Sequence, residues 1–221
     1  MITKNKFNLS VGLLAGACAL LSAPASHATT FNYTVFVNTA GMAGSPSAPF
    51  SLDFQLTDGS GSGDGNNTAT ISGFAFGGGG PSGGAFTTSG VGGDLSSAVS
   101  LTDSAPFQFP YEFYQAFAPG ATLSFNVAIT GNTDAGVTPD GFSFAILDNN
   151  LLNIPATGIG DSLVQINLGT APAVTVGQGT GPQGVSVSVV AAPEPSAAAL
   201  AALGLIGGLA AIYIRGRKAD A

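Results

Sequence analysis

The stretch from Thr29 to Ala192 contains no lysine, arginine, histidine, cysteine or tryptophan. It therefore lacks the base needed for Ser-His-Asp, Cys-His or Ser-Lys catalysis and the ligands of the usual zinc and iron sites. A nucleic-acid partner is excluded because phosphate binding needs cationic side chains. Disulfides and salt bridges within this stretch are excluded as well, so its stability must come from apolar burial and hydrogen bonds.

Acidic residues, in contrast, are concentrated in this stretch. The chain has 12 acidic residues, and all but Glu194 and Asp220 lie between Thr29 and Ala192, which leaves ten carboxylates and a formal charge of −10, against −7 for the whole chain. The stretch is long enough for one domain with a hydrophobic core. Because its charges repel one another, we expect bound cations or salt to stabilise it.

The C-terminal segment, residues 192–221, combines three features in a fixed order. A motif of three residues comes first: Pro193, Glu194 and Pro195. An uncharged run follows at 197–214, which as a helix would be about 27 Å long and would span a bilayer core. A basic stop that favours the cytoplasmic side closes the chain: Arg215, Arg217 and Lys218.

This order resembles the PEP-CTERM sorting signal of exported proteins in Gram-negative, exopolysaccharide-producing bacteria. The resemblance implies recognition by an exosortase, a membrane-embedded transpeptidase that cuts near the motif and releases or transfers the protein at the cell surface. It further implies export through the inner membrane and association with exopolysaccharide or biofilm.

The N-terminal segment, residues 1–28, has the layout of a secretory signal peptide. Lys4 and Lys6 form a positive region, an apolar stretch follows at 7–21, and a small-x-small pattern predicts cleavage after Ala28. The alternative is a lipoprotein signal ending at Cys18. With both targeting segments set aside, residues 29–191 form the predicted ectodomain.

Apolar residues alternate with polar ones in at least six runs of the ectodomain. They occur at 31–37, 52–56, 123–129, 142–146, 164–168 and 185–189, separated by clusters of Gly, Asn, Asp, Pro and Ser. A period of two places each apolar set on one face of a strand. We predict an all-β fold, an antiparallel two-sheet sandwich of jelly-roll-like topology.

An aromatic-rich segment at 107–117 predicts a further strand of the sandwich. Its odd-numbered aromatic residues share a face and are expected in the core, whereas Tyr114 lies on the other face and is the candidate glycan contact. Pro110 predicts that the strand lies at a sheet edge or a bulge. The glycine-rich run 77–84 is predicted to be a flexible loop.

A second resemblance covers Gln115, Phe117, Gly120, Leu123 and Phe125, whose spacing is similar to a strand pair of galactose-binding-like and carbohydrate-binding sandwich domains. The segment 139–148 is similar to one common in PEP-CTERM surface proteins. Both resemblances imply the sandwich fold more than a function.

The loop after the second predicted strand has oxygen-bearing side chains at every second position. The candidate calcium ligands are Asp58, Ser60, Ser62, Asp64 and Asn66. Calcium is bound by oxygen ligands alone, but the glutamate of an EF-hand loop is missing at its last position. The alternative is an acidic hairpin loop without an ion. Asp134, Asp140 and Asp148 form a second predicted carboxylate cluster with the same two interpretations.

Three hypotheses follow. The first is a non-catalytic surface or matrix protein, and the second is a carbohydrate-binding module, with or without calcium. The third is a glycosidase that uses carboxylates alone and pairs Glu112 with one of nine aspartates that the spacing does not select.

Overall fold

The computed structural model describes residues 29–59, 67–103, 110–131, 138–169 and 172–192. The strands of these described residues are β1 (Thr29–Asn38), β2 (Phe50–Thr57), β3 (Thr68–Ala75), β4 (Gly80–Thr87), β5 (Val91–Gly93), β6 (Ala98–Thr102), β7 (Tyr111–Ala118), β8 (Thr122–Gly131), β9 (Gly141–Leu147), β10 (Val164–Asn167), β11 (Ala173–Val176) and β12 (Ser186–Ala191). Two short 3-10 helices lie at Ala40–Met42 and Ile159–Asp161. Within the described residues, no helix is long and apolar enough to cross a membrane.

The strands form two antiparallel sheets of six. Sheet A has the order β12-β1-β8-β3-β6-β5, and sheet B has the order β11-β10-β9-β2-β7-β4. The predicted all-β, antiparallel two-sheet sandwich is therefore confirmed. Below, the face of each sheet that points away from the core is called its outer face.

The pairing of the strands is nested. β1 pairs with β8 and β3 with β6 in sheet A, whereas β2 pairs with β7 in sheet B. From β1 to β4 the chain alternates between the two sheets. β6, β7 and β8 then pair with β3, β2 and β1, respectively. β12 extends sheet A beyond β1, and β9 to β11 extend sheet B beyond β2.

One hydrophobic core lies between the sheets, and the alternating runs supply it as predicted. Phe54 lies near its centre, with ring centroids 5.3 Å from those of both Phe125 and Phe144. The odd-numbered residues Tyr111, Phe113 and Phe117 of β7 are buried in the same core. Burial of such rings is the main favourable term in folding, because these residues make no salt bridges.

Two predictions about local structure were wrong. β7 is not an edge strand but lies between β2 and β4; Pro110 directly precedes it, so no ladder hydrogen bond is lost. The run at 77–84 is not entirely a loop, because its second half begins the edge strand β4. The register of β4 shifts between Pro81 and Ala85, an irregularity that the positive φ of 67° at Gly83 accommodates.

Gln115 is the polar member of the inward face of β7. Its side-chain nitrogen donates hydrogen bonds to the carbonyl of Gly83 and to Oδ2 of Asp94, both at 3.0 Å, and its oxygen accepts from the backbone of Leu95 at 2.9 Å. These bonds join sheet B to the turn between β5 and β6 of sheet A. The buried amide is therefore satisfied, as burial of a polar group requires.

Candidate functional site

Most of the predicted targeting and loop residues lie outside the described residues. These are Ala28, Ser60, Ser62, Asp64, Asn66, Asp134, Pro193, Glu194, Pro195, Arg215, Arg217 and Lys218. Their roles in cleavage, calcium binding and sorting stay predictions.

Tyr114 lies on the outer face of sheet B, where the alternation of β7 places it. It is half-buried, and its ring stacks on Phe86 of the edge strand β4, with the centroids 4.6 Å apart and the planes inclined by 16°. One face of the tyrosine ring is therefore occupied. Phe86, at 43% exposure, is a more open surface than Tyr114 for a ligand.

Two carboxylates lie beside this aromatic pair. The side-chain nitrogen of Gln55 donates to Oδ2 of Asp53 at 2.8 Å and to Oε1 of Glu112 at 3.3 Å. Asp53 is only 2% exposed, and its other oxygen, Oδ1, has no hydrogen-bond partner. Gln55 thus links Asp53 to Glu112. Sequence spacing could not select this aspartate, because Gln55 and Glu112 differ by 57 positions and become neighbours only through the pairing of β2 with β7.

The environment of Asp53 favours its protonated form. Burial, followed by the charge of Glu112, raises the pKa of Asp53 from the usual 3.8 to about 7, although the hydrogen bond from Gln55 opposes the shift. The group can therefore exchange a proton near neutral pH. Its burial keeps it from direct contact with a substrate in solution, which argues against a role as acid or nucleophile in glycoside hydrolysis.

A second polar cluster lies at one end of the sandwich. Asp58 follows β2, Asn67 precedes β3, Asp103 follows β6 and Asp140 precedes β9; all four residues are buried. The side chain of Asn67 donates to Oδ2 of Asp140 at 2.6 Å, and its backbone donates to Oδ1 of Asp103 at 3.1 Å. The backbone of Gly59 donates to Oδ1 of Asp140 at 2.8 Å.

The calcium prediction is not decided by this cluster. Among the described residues, no three carboxylates are arranged so that they could hold a metal ion. Asp58, a candidate of the predicted calcium loop, and Asp140, a candidate of the second predicted cluster, lie at the same end of the sandwich. Sequence reasoning missed Asp103 and Asn67, which are distant from Asp140 in the chain.

The predicted grouping of Asp140 with Asp148 was wrong. Asp140 precedes β9 and Asp148 follows it, so the two residues lie at opposite ends of a seven-residue strand. Asp148 instead accepts backbone hydrogen bonds from Leu152 at 3.1 Å and Asn150 at 2.8 Å, and these bonds lower its pKa.

The outer face of sheet A has a different chemistry. Its side chains on β1, β3, β6, β8 and β12 are uncharged, and most bear a hydroxyl or an amide: Thr34, Phe36, Asn38, Thr70, Ser72, Ser100, Ser124, Asn126, Ala128, Ser186, Ser188 and Val190. Phe36 and Val190 are its exposed large apolar residues. The sequence held a signal for Phe36, because the apolar set of β1 is odd-numbered and an even-numbered phenylalanine must face outwards.

No protein-family model matches this chain, and no curated protein or solved structure matches it significantly. The function therefore has to be argued from the chemistry of these surfaces and from the sequence.

Proposed function

We infer that the chain is an exported, non-catalytic protein of the cell surface or extracellular matrix, sorted by an exosortase-type system and associated with exopolysaccharide. The resemblance of residues 192–221 to a PEP-CTERM signal supports the sorting step, and the signal-like residues 1–28 support export. In the precursor, the N-terminal helix and the C-terminal transmembrane helix would flank the sandwich.

The observation that carries this proposal is the placement of the domain ends. β1 begins at Thr29, next to the predicted cleavage site, and β12 ends at Ala191, just before the Pro-Glu-Pro motif. The two strands pair antiparallel, and the backbone of Ala192 donates to the carbonyl of Asn32 at 2.8 Å. Both processing sites would therefore lie at the same end of the folded domain, and neither cut would remove any of the twelve strands described above.

A jelly-roll-like topology is the finer fold assignment that we propose. The nested pairs β1–β8, β2–β7 and β3–β6, distributed over two sheets, support it.

Sorting can be tested by replacing Pro193, Glu194 and Pro195 with alanine in a host that has an exosortase. The wild-type chain should be recovered from the cell surface and exopolysaccharide fractions, whereas the variant should accumulate uncut in the inner membrane. Ser196→Ala, next to the motif, is the matched control and should be sorted normally. An identical distribution of variant and wild type would contradict the proposal.

Carbohydrate binding is the second candidate function. The specific observation that favours it is the uncharged, hydroxyl- and amide-rich outer face of sheet A with an exposed phenylalanine. Such a face offers hydrogen-bond partners and an aromatic platform without the cost of removing water from a charge. Among the described aspartates, Asp53 is linked to Glu112 through Gln55, and its burial argues against a carboxylate-only glycosidase that uses this pair.

A further inference from the structure

Phe36 is an outward-facing ring without an aromatic partner. It is 47% exposed, and among the described phenylalanines only Phe86 is comparably open. Phe86, however, stacks on Tyr114, whereas no described ring packs against Phe36. The ring of Phe36 therefore leaves an aromatic surface open to a ligand.

The neighbours of Phe36 across the sheet are small and hydroxylated. The strand register places Phe36 between Ser188 of β12 and Ser124 of β8. The next row places Asn38 between Ser186 and Thr122 in the same way. Three adjacent strands thus present one ring surrounded by hydroxyl and amide groups.

These two rows form the floor of a groove of about 720 Å³. Its outward-facing lining residues are Phe36, Asn38, Thr122, Ser124, Ser186 and Ser188, and the strand residues Val37, Leu123 and Val187 and the alanines Ala40 and Ala121 complete it. Asn38 accepts a hydrogen bond from the backbone of Ala40 at 3.1 Å, which leaves its amide nitrogen available as a donor. The volume is in the range of sites for small ligands.

We propose that this groove binds a neutral saccharide chain, with one sugar ring packed on Phe36 and its hydroxyls bonded to the serines and Asn38. The proposal rests on the second candidate function and names its site and ligand class. A sugar has an apolar face of C–H groups bounded by hydroxyls, which matches a ring bounded by serines.

The charges of the domain favour a neutral saccharide over an anionic one as the ligand. Nothing that lines the groove is charged, and residues 29–192 provide ten carboxylates without one cation to attract an anionic polymer. A protein partner fits less well, because the core of a protein interface is more apolar than a face on which Phe36 and Val190 are exposed among hydroxyl and amide groups.

The test is affinity electrophoresis of the purified full chain in gels that contain one soluble polysaccharide each. A β-glucan, a galactomannan and dextran serve as neutral probes, and alginate serves as the anionic probe. We expect retardation by at least one neutral probe and none by alginate. Phe36→Ala should weaken the retardation about tenfold, the effect of losing one aromatic contact.

Three further variants separate binding from folding. Phe86→Ala removes a similarly exposed phenylalanine from the other sheet and should bind like wild type. Phe36→Trp keeps an aromatic face and should retain binding within about threefold, whereas Phe36→Leu, which keeps an apolar side chain without a ring, should bind as weakly as Phe36→Ala. A structural role of Phe36 would instead give losses that follow the melting temperature.

The proposal is overturned if no neutral probe retards the chain, if alginate retards it equally, or if Phe86→Ala rather than Phe36→Ala removes binding. These outcomes do not depend on cellular sorting. A chain that is sorted correctly but binds none of the probes would leave the surface-protein assignment standing and refute the groove alone.

Discussion

The outer faces of the two sheets differ in charge: that of sheet B carries carboxylates, and that of sheet A is uncharged around its exposed ring. Sheet B places Asp53 and Glu112 beside an aromatic pair, and burial keeps Asp53 partly protonated near neutral pH. Sheet A places only uncharged side chains around its exposed ring. In a domain without cations, a buried carboxylate has no ion-pair partner to offset the cost of removing its water. A ligand can therefore displace water from the neutral face at a lower cost in free energy than from the acidic face.

The largest expected difference between the faces is in the pH dependence of stability. The folded pKa of Asp53 lies above its unfolded value of 3.8, so its favourable contribution is complete below about pH 4 and is lost as the pH rises to about 7. Asp53→Asn should therefore increase the free energy of unfolding at pH 8, by up to a few kcal/mol at about 1.4 kcal/mol per unit of pKa shift. At pH 4 the change should be close to zero; urea unfolding at both pH values measures it.

The reverse substitution on sheet A is the control. Asn126 is exposed, so Asn126→Asp should alter stability by less than about 0.5 kcal/mol at either pH. Glu112→Gln should stabilise in the same direction as Asp53→Asn but by less, because the charge of Glu112 is a smaller cause of the shift than burial. Equal pH profiles for wild type and Asp53→Asn would show that Asp53 does not titrate abnormally.

A smaller difference should appear when the two exposed phenylalanines are truncated. Phe86→Ala removes a stacked partner of Tyr114, a contact worth about 1 kcal/mol beyond simple burial, whereas Phe36 has no such partner. We therefore expect Phe86→Ala to lower the free energy of unfolding by about 1 kcal/mol more than Phe36→Ala. Urea unfolding of the two variants measures this, and a larger loss for Phe36→Ala would mean that its ring supports the fold.

The smallest expected effect is that of added cations on the melting temperature. The full chain should melt a few degrees higher in millimolar calcium chloride than in chelator, because the ten carboxylates of residues 29–192 repel one another. Sodium chloride at matched ionic strength is the control. If it reproduces the gain, the effect is screening; a gain specific to calcium would support the predicted loop site at Asp58. An unchanged melting temperature would contradict cation-assisted folding.

Seven of the twelve described strands could be predicted from the sequence, because each of their alternating runs encodes its own faces, whereas β3 to β6 and β11 have no such run. The partners of the strands could not, since pairing joins distant segments. Asp53 and Glu112 become neighbours only through the β2–β7 pairing, and Asn67 meets Asp103 and Asp140 only when three loops converge. Phe36 could have been found by asking which aromatic residue of a strand faces away from the core.

If the C-terminal segment holds the chain in a membrane, as proposed, the antiparallel pairing of β1 with β12 determines which end of the domain lies towards it. Ala191 lies opposite Tyr33, whereas Ser186 lies opposite Asn38, beside the groove. The groove residues of β12, Ser188 and Ser186, lie about 10 and 17 Å from Ala191 at 3.3–3.4 Å per residue, towards the end of the strand remote from the predicted sorting motif. A chain still held by its C-terminal segment would thus present the groove to the surrounding matrix, and a transpeptidase could reach the motif while a polymer occupies the groove.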